Sequence, residues 1–291
     1  MHPAPSLIIF TTLSGLGFGL LAWLGAGALV PTGWVGFVFY ALGYGLAGAG
    51  LVTSAAHLGH PERALKAFTQ WRTSWLSREA VLSVGALLLM APHAAGSVFF
   101  ATPLPVFGWL GAVFCVATVF ATSMIYAQIR AVPRWHHWTT PALFLAFALS
   151  GGALLSGQIT AAALLLALLA VVMVLHWHFG DRRLAEAGST PETATGLGFM
   201  GRVRLFEPPH TGANYLLREM VHVVGRKHAV KLRVIALLGA AVLPALVLAA
   251  LPASHLAAGL AIALHGVGLM ASRWLFFAEA EHVVGLYYGR R

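Results

Sequence analysis

The chain has 291 residues, 59% of them hydrophobic and only 9% charged, with a formal net charge of +9. A soluble domain carries roughly 25% charged residues, and a mean hydropathy of +0.81 excludes that class here. The single cysteine, Cys115, excludes an internal disulfide and any iron–sulfur cluster held by this chain alone.

The opening Met1-His-Pro-Ala-Pro has no basic stretch, so no cleaved signal peptide is expected. Apolar runs of about 20 residues then recur, each long enough to cross the ~30 Å hydrocarbon core of a bilayer. They predict an all-α fold, one transmembrane domain built as a bundle of eight helices. The spans fall at 7–30, 34–56, 79–100, 106–129, 141–156, 160–179, 234–251 and 255–276. Glycines at 15, 17 and 19 in the first span and at 43, 45, 48 and 50 in the second suit close helix contact. The connectors 31–33, 101–105, 157–159 and 252–254 are short and uncharged. Segment 180–233 is the one long hydrophilic piece, and its stretch from Asn214 to Val224 reads as an amphipathic helix lying on the membrane or against a partner.

All 18 Lys and Arg and all nine acidic residues fall on one face of this arrangement. Only an even number of crossings puts both termini and the charged connectors together. By the positive-inside rule that face is cytoplasmic, with both termini inside a bacterial inner membrane. The basic excess thus reports topology, and no basic and aromatic stripe on a soluble module points to nucleic acid.

The polar residues concentrate between the second and third spans, in His57-Leu-Gly-His-Pro-Glu-Arg-Ala and Trp71-Arg-Thr-Ser-Trp-Leu-Ser-Arg-Glu79. His57 ends one span and Glu79 begins the next, so both lie near one membrane surface. Oxidising a quinol releases two protons, and a base must stand within hydrogen-bond reach of a ring hydroxyl in an apolar pocket. An imidazole titrating near neutral pH suits that task, with a carboxylate to hold the imidazolium or relay its proton. Ionisable side chains at membrane depth are functional candidates. Spacing alone equally fits two interfacial residues that anchor and cap helices, with Ser77 as the cap of the third span.

The block His57-Leu-Gly-x-Pro-x-Arg-Ala with Ser74-x-Leu-Ser-x-Glu79 resembles the membrane anchor subunit of bacterial dimethyl sulfoxide reductase, the DmsC family. Tyr126-x-x-Ile-x-x-Val-Pro-x-Trp135, Thr140-Pro141 and Arg273-x-x-Phe276 match further on. The resemblance implies eight transmembrane helices and a site for menaquinol or ubiquinol at His57 and Glu79. It also implies partners: a four-cluster ferredoxin-like iron–sulfur subunit that takes the electrons and a molybdopterin catalytic subunit that spends them in anaerobic respiration. The segment 180–233 is longer than the family pattern, and Met124 stands where the family has an Arg. The family is usually drawn with its termini outside, against the charge pattern here.

Tyr126 and Arg273, near the same ends of the fourth and eighth spans, are further candidates for contact with a quinol; Tyr126 equally fits an interfacial anchor. Arg273 can equally compensate Glu79 or Glu279. Trp71, Trp75, Trp135 and Trp138 fit an interfacial aromatic belt. Arg63 and Arg72 suit an acidic partner or lipid phosphates. Of the 14 histidines only His265 lies near mid-span, with no facing partner, so no haem is expected. No HExxH or cysteine cluster suggests a metal. The rival functions are a secondary transporter, which calls for a polar site at the midplane, a haem-containing cytochrome, and a purely structural tether.

Overall fold

A computed structural model describes residues 1–56, 60–207, 212, 214–221 and 228–288. His57 lies outside the described residues, as do His210 and His222. Among the described residues eight apolar helices make up the bundle: α1 (Pro5–Gly25), α2 (Gly33–Ala56), α3 (Trp75–Phe100), α4 (Pro105–Ala127), α5 (Thr139–Leu155), α6 (Ile159–Glu186), α7 (Ala229–Ala250) and α8 (His255–Ala278). Seven are long and apolar enough to cross a membrane. The other, α5, has 17 residues and rises about 26 Å, at the lower limit for a span. The α-amino group of Met1 donates to the Ala280 carbonyl at 2.6 Å, so the chain ends meet at one rim. That meeting requires an even number of crossings and counts α5 among them.

The centre of the bundle is α1, which packs against α2, α4, α5 and α8. Of its apolar window 67% is buried, against 28% for α2, α6 and α7. Small residues let the backbones approach. A Cβ on Gly17 would strike the backbone of Gly43 and Ala47 on α2, and one on Gly19 would strike Ala148 on α5. Gly15, Gly45 and Gly48, by contrast, face open space. The outer surface exposes large apolar side chains, among them Trp34, Leu88, Phe99, Val106 and Leu164. A soluble monomer rarely shows so continuous an apolar surface, and lipid contact accounts for it.

The helix ends depart from expectation where charge is involved. Helix α6 continues two turns past 179 and α7 begins five residues before 234, carrying Asp181 and Arg233 within helical structure. Helix α3 begins at Trp75, one turn before 79, with Ser74 in the extended N-cap position. Ser77 is therefore a buried residue of the first turn and not a cap. No side chain caps this start; Arg78 instead ties the preceding turn to the helix, its Nε and Nη2 donating to the carbonyls of Trp71 and Arg72 at 3.0 and 2.7 Å. Of the expected helix from Asn214 to Val224, residues 222–224 lie outside the described ones; among the described residues it is Tyr215–Glu219, started by the Asn214 side chain, which accepts from the Leu217 N–H. In α7 the segment Leu238–Val242 forms a π-turn. The Ala240 carbonyl, released from the regular ladder, accepts from Nδ1 of the buried His265 at 2.6 Å.

Candidate functional site

Starting α3 one turn early sinks Glu79 into the bundle, where it is 4% exposed. Its Oε1 accepts a very short hydrogen bond from the Thr122 hydroxyl on α4. The same hydroxyl stands 3.0 Å from the Thr118 carbonyl one turn back, its alternative acceptor. No ion pair to Glu79 exists among the described residues. A carboxylate so placed is costly to ionise unless something else compensates it.

Beside Glu79 lies a cavity of about 270 Å³ between the end of α2, the 3₁₀ segment Pro61–Phe68 and the start of α3. Leu51, Ser54, Phe68, Ser83 and Val84 line it together with Glu79, so the walls are apolar apart from two hydroxyls and one carboxyl group. The volume is close to the lower end of the ~300–1,000 Å³ of small-molecule sites. Ser54 and Ala55, three and two positions before His57 in the sequence, form part of the wall.

The structure sets the two other candidates, Tyr126 and Arg273, outside the lining of that cavity. Tyr126 is buried on α4. Trp135, Phe144, Phe276 and Phe277 surround it at ring separations of 5.3 to 5.7 Å. Arg273 on α8 is 1% exposed, with its guanidinium carbon 3.6 Å above the Phe144 ring. Its Nε and Nη1 have no hydrogen-bond partner among the described residues. Tyr126 is thus a core residue and not an interfacial anchor. So is Trp135, expected in the aromatic belt: it is 2% exposed, stacks on Phe276 and donates to the Phe276 carbonyl at 2.9 Å. Trp71 and Trp138 are exposed as a belt requires.

Arg273 does not pair with Glu279. That carboxylate belongs to a closed ring of charges absent from the sequence reading. Arg134 Nη2 lies 2.6 Å from Asp181 Oδ1, and Arg233 Nη1 and Nη2 hold the two Asp181 oxygens at 2.8 and 2.6 Å. Arg233 Nε reaches Glu279 Oε1 at 2.7 Å, and Arg134 Nη1 closes the ring 3.7 Å from Glu279 Oε2. The four come from the α4–α5 connector, α6, α7 and the end of α8, and no local spacing signals their meeting. Nearby, the Thr139 hydroxyl lies 2.9 Å from His137 Nδ1 and 3.1 Å from His176 Nδ1. Burial and the Arg183 guanidinium push the His137 imidazole below its ordinary pKa. Among the described residues no three His, Cys, Asp or Glu side chains converge as a metal site would need.

A lipid-exposed helical bundle with one buried, nearly unpaired carboxyl group on a cavity wall defines a class: an integral membrane protein that keeps a polar site within its bundle. The family model for the DMSO reductase anchor subunit (DmsC) matches residues 1–186, and the chain belongs to that family. Over 326 aligned positions, covering 99% of each chain, it is 32% identical to a sulfite dehydrogenase subunit from Allochromatium vinosum. No solved structure matches. The chain is a multi-pass membrane anchor subunit, a partner of the catalytic subunits of an oxidoreductase complex.

Proposed function

We propose that the Glu79 cavity is a quinol site and that this anchor oxidises quinol for a molybdenum oxidoreductase complex. Electrons pass to an iron–sulfur subunit docked on the charged face, and from there to a molybdopterin subunit. The observation that carries the reading is a buried carboxyl group, hydrogen-bonded by a single hydroxyl, on the wall of an apolar cavity sized for a headgroup. Thr122 gives that carboxyl two states. When Glu79 is ionised the hydroxyl donates to it. When Glu79 takes a proton, the hydroxyl turns to the Thr118 carbonyl and accepts from the new carboxyl O–H. Neither state leaves a buried donor unpaired, which keeps proton transfer cheap. His57 is proposed as the first proton acceptor, and Tyr126 and Arg273, which stand outside the cavity lining, as further contacts for a quinol oxygen that reaches deeper into the bundle. Menaquinol and ubiquinol both fit this chemistry. The charged face is proposed to be cytoplasmic, in a bacterial inner membrane.

One observation favours a second reading, in which electrons run the other way. The relative spanning 99% of the chain is named for a dehydrogenase, which withdraws electrons from its substrate. The same carboxyl group would then deliver protons to a quinone. Assays of the complex purified through a tag on this chain, with quinol as donor and with quinone as acceptor, separate the two. In both, His57→Ala and Glu79→Gln abolish quinone-linked turnover while activity with an artificial redox dye persists. Full quinone-linked turnover in both variants overturns the site.

A further inference from the structure

The α2–α3 connector holds a second cavity, of about 390 Å³, beside the first. Its polar wall carries Arg63, Lys66, Gln70 and Ser74, while Ala64, Ala67 and Leu76 line both cavities. The charges here are unbalanced. Between residues 60 and 78 four cations, Arg63, Lys66, Arg72 and Arg78, face one acid, Glu62. Glu62 is occupied by His60 Nδ1 at 2.9 Å and stands 4.0 Å from Arg63 Nε. Arg78 is committed to the carbonyls of Trp71 and Arg72 and covers the Trp75 ring at 4.3 Å. Lys66 has no ion-pair partner among the described residues. Among these cations large apolar side chains stand exposed: Leu65 at 80%, Trp71 at 56% and Phe68 at 40%.

Cations interleaved with exposed apolar groups, on a segment joining two membrane helices, match a surface that sits in the headgroup layer. We propose that this cavity binds an anionic phospholipid. Arg63 and Lys66 take the phosphate, Gln70 and Ser74 add neutral hydrogen bonds, and Leu65 and Phe68 lie against the acyl chains. An acidic surface on a partner protein would meet the cations but would leave those apolar side chains uncovered. Because the two cavities share three residues, the bound lipid stands at the rim of the Glu79 cavity. The proposal goes beyond the quinol reading and does not require it, since the test reads lipid binding and not turnover.

The test is native mass spectrometry of the intact complex in neutral detergent, titrated with phosphatidylglycerol or with phosphatidylcholine of the same chains. Phosphatidylglycerol should bind more tightly, and added salt should weaken it. Each basic residue near an anionic lipid surface contributes about fivefold, so Arg63→Gln with Lys66→Gln should lower its affinity roughly 30-fold. The charge-preserving pair Arg63→Lys with Lys66→Arg should keep it within a few-fold, which separates lost charge from a damaged fold. Equal binding of the two lipids, or unchanged phosphatidylglycerol binding in the double Gln variant, overturns the proposal. Full displacement by millimolar inorganic phosphate would assign the cavity to a free anion instead. Binding seen only after the partner subunits are stripped away would assign it to a protein contact.

Discussion

Two groups of charge sit in this bundle, and they are built in opposite ways. The ring of Arg134, Asp181, Arg233 and Glu279 is closed: each carboxylate meets two guanidinium groups, and four separate segments of chain are tied together. The space next to it, between His176, Ser272 and Glu279, has no room for a water molecule. Around Glu79 the reverse holds. One hydroxyl contacts the carboxylate, no guanidinium pairs with it among the described residues, and a cavity opens alongside. Carboxylates that each meet two guanidinium groups tie the fold together, with Asp181 half exposed and Arg134 Nε and Nη1 still without a hydrogen bond among the described residues. Charge that is buried, underpaired and next to empty space is held ready for something that enters.

The contrast can be broken by substitution, beginning with the largest effect. Removing an acid–base group typically costs 10²–10⁴-fold in rate, so Glu79→Gln should cut quinone-linked turnover about 100-fold or more, while the thermal midpoint of the purified complex stays close to wild type. Glu279→Ala should do the opposite. Loss of one member of a buried ion pair costs roughly 3–5 kcal/mol, so the midpoint should fall markedly while the quinone affinity of the surviving folded protein is unchanged. Arg273→Met keeps the volume and removes a charge whose burial is poorly repaid. Stability should hold or rise, while turnover falls about tenfold, as expected for a lost hydrogen bond to a charged group. A fall in stability as large as that of Glu279→Ala would place Arg273 with the structural charges. The smallest effect belongs to Thr122→Val, about fivefold in turnover for one neutral hydrogen bond, read by steady-state kinetics at saturating quinol.

The same contrast explains what could be read from the residues alone. Eight apolar runs were legible because hydropathy over about 20 residues reports membrane depth directly. Helix ends were less so wherever a charge is satisfied at long range. Helices α6 and α7 extend beyond their apolar runs because Asp181 pairs with Arg233, 52 residues away, and no local pattern announces such a contact. Glu79 and Ser77 read as residues of a helix mouth because Ser is a frequent cap. The Arg78 side chain, which ties the Trp71 and Arg72 carbonyls to the first turn of α3, has no motif. Trp135 resembles an interfacial Trp by its position after a span, yet its ring is claimed by Phe276 from the far end of the chain. The π-turn at Leu238–Val242 lies in a run of small and apolar residues with no breaker, and its reason, the His265 side chain, sits on another helix. Glu79, Tyr126 and Arg273 were all legible as candidates. Which of them lines a cavity was not, because that depends on how α2, α3 and the segment between them pack.

The most direct measurement is photolabelling of the assembled complex in its membrane with a light-activated quinone, followed by peptide mapping. Labelling centred on residues 51–84, reaching beyond them only at Tyr126 or Arg273, and suppressed by excess quinol is the predicted result. Labelling confined to α6, α7 and α8, or found only on partner subunits, would contradict the account.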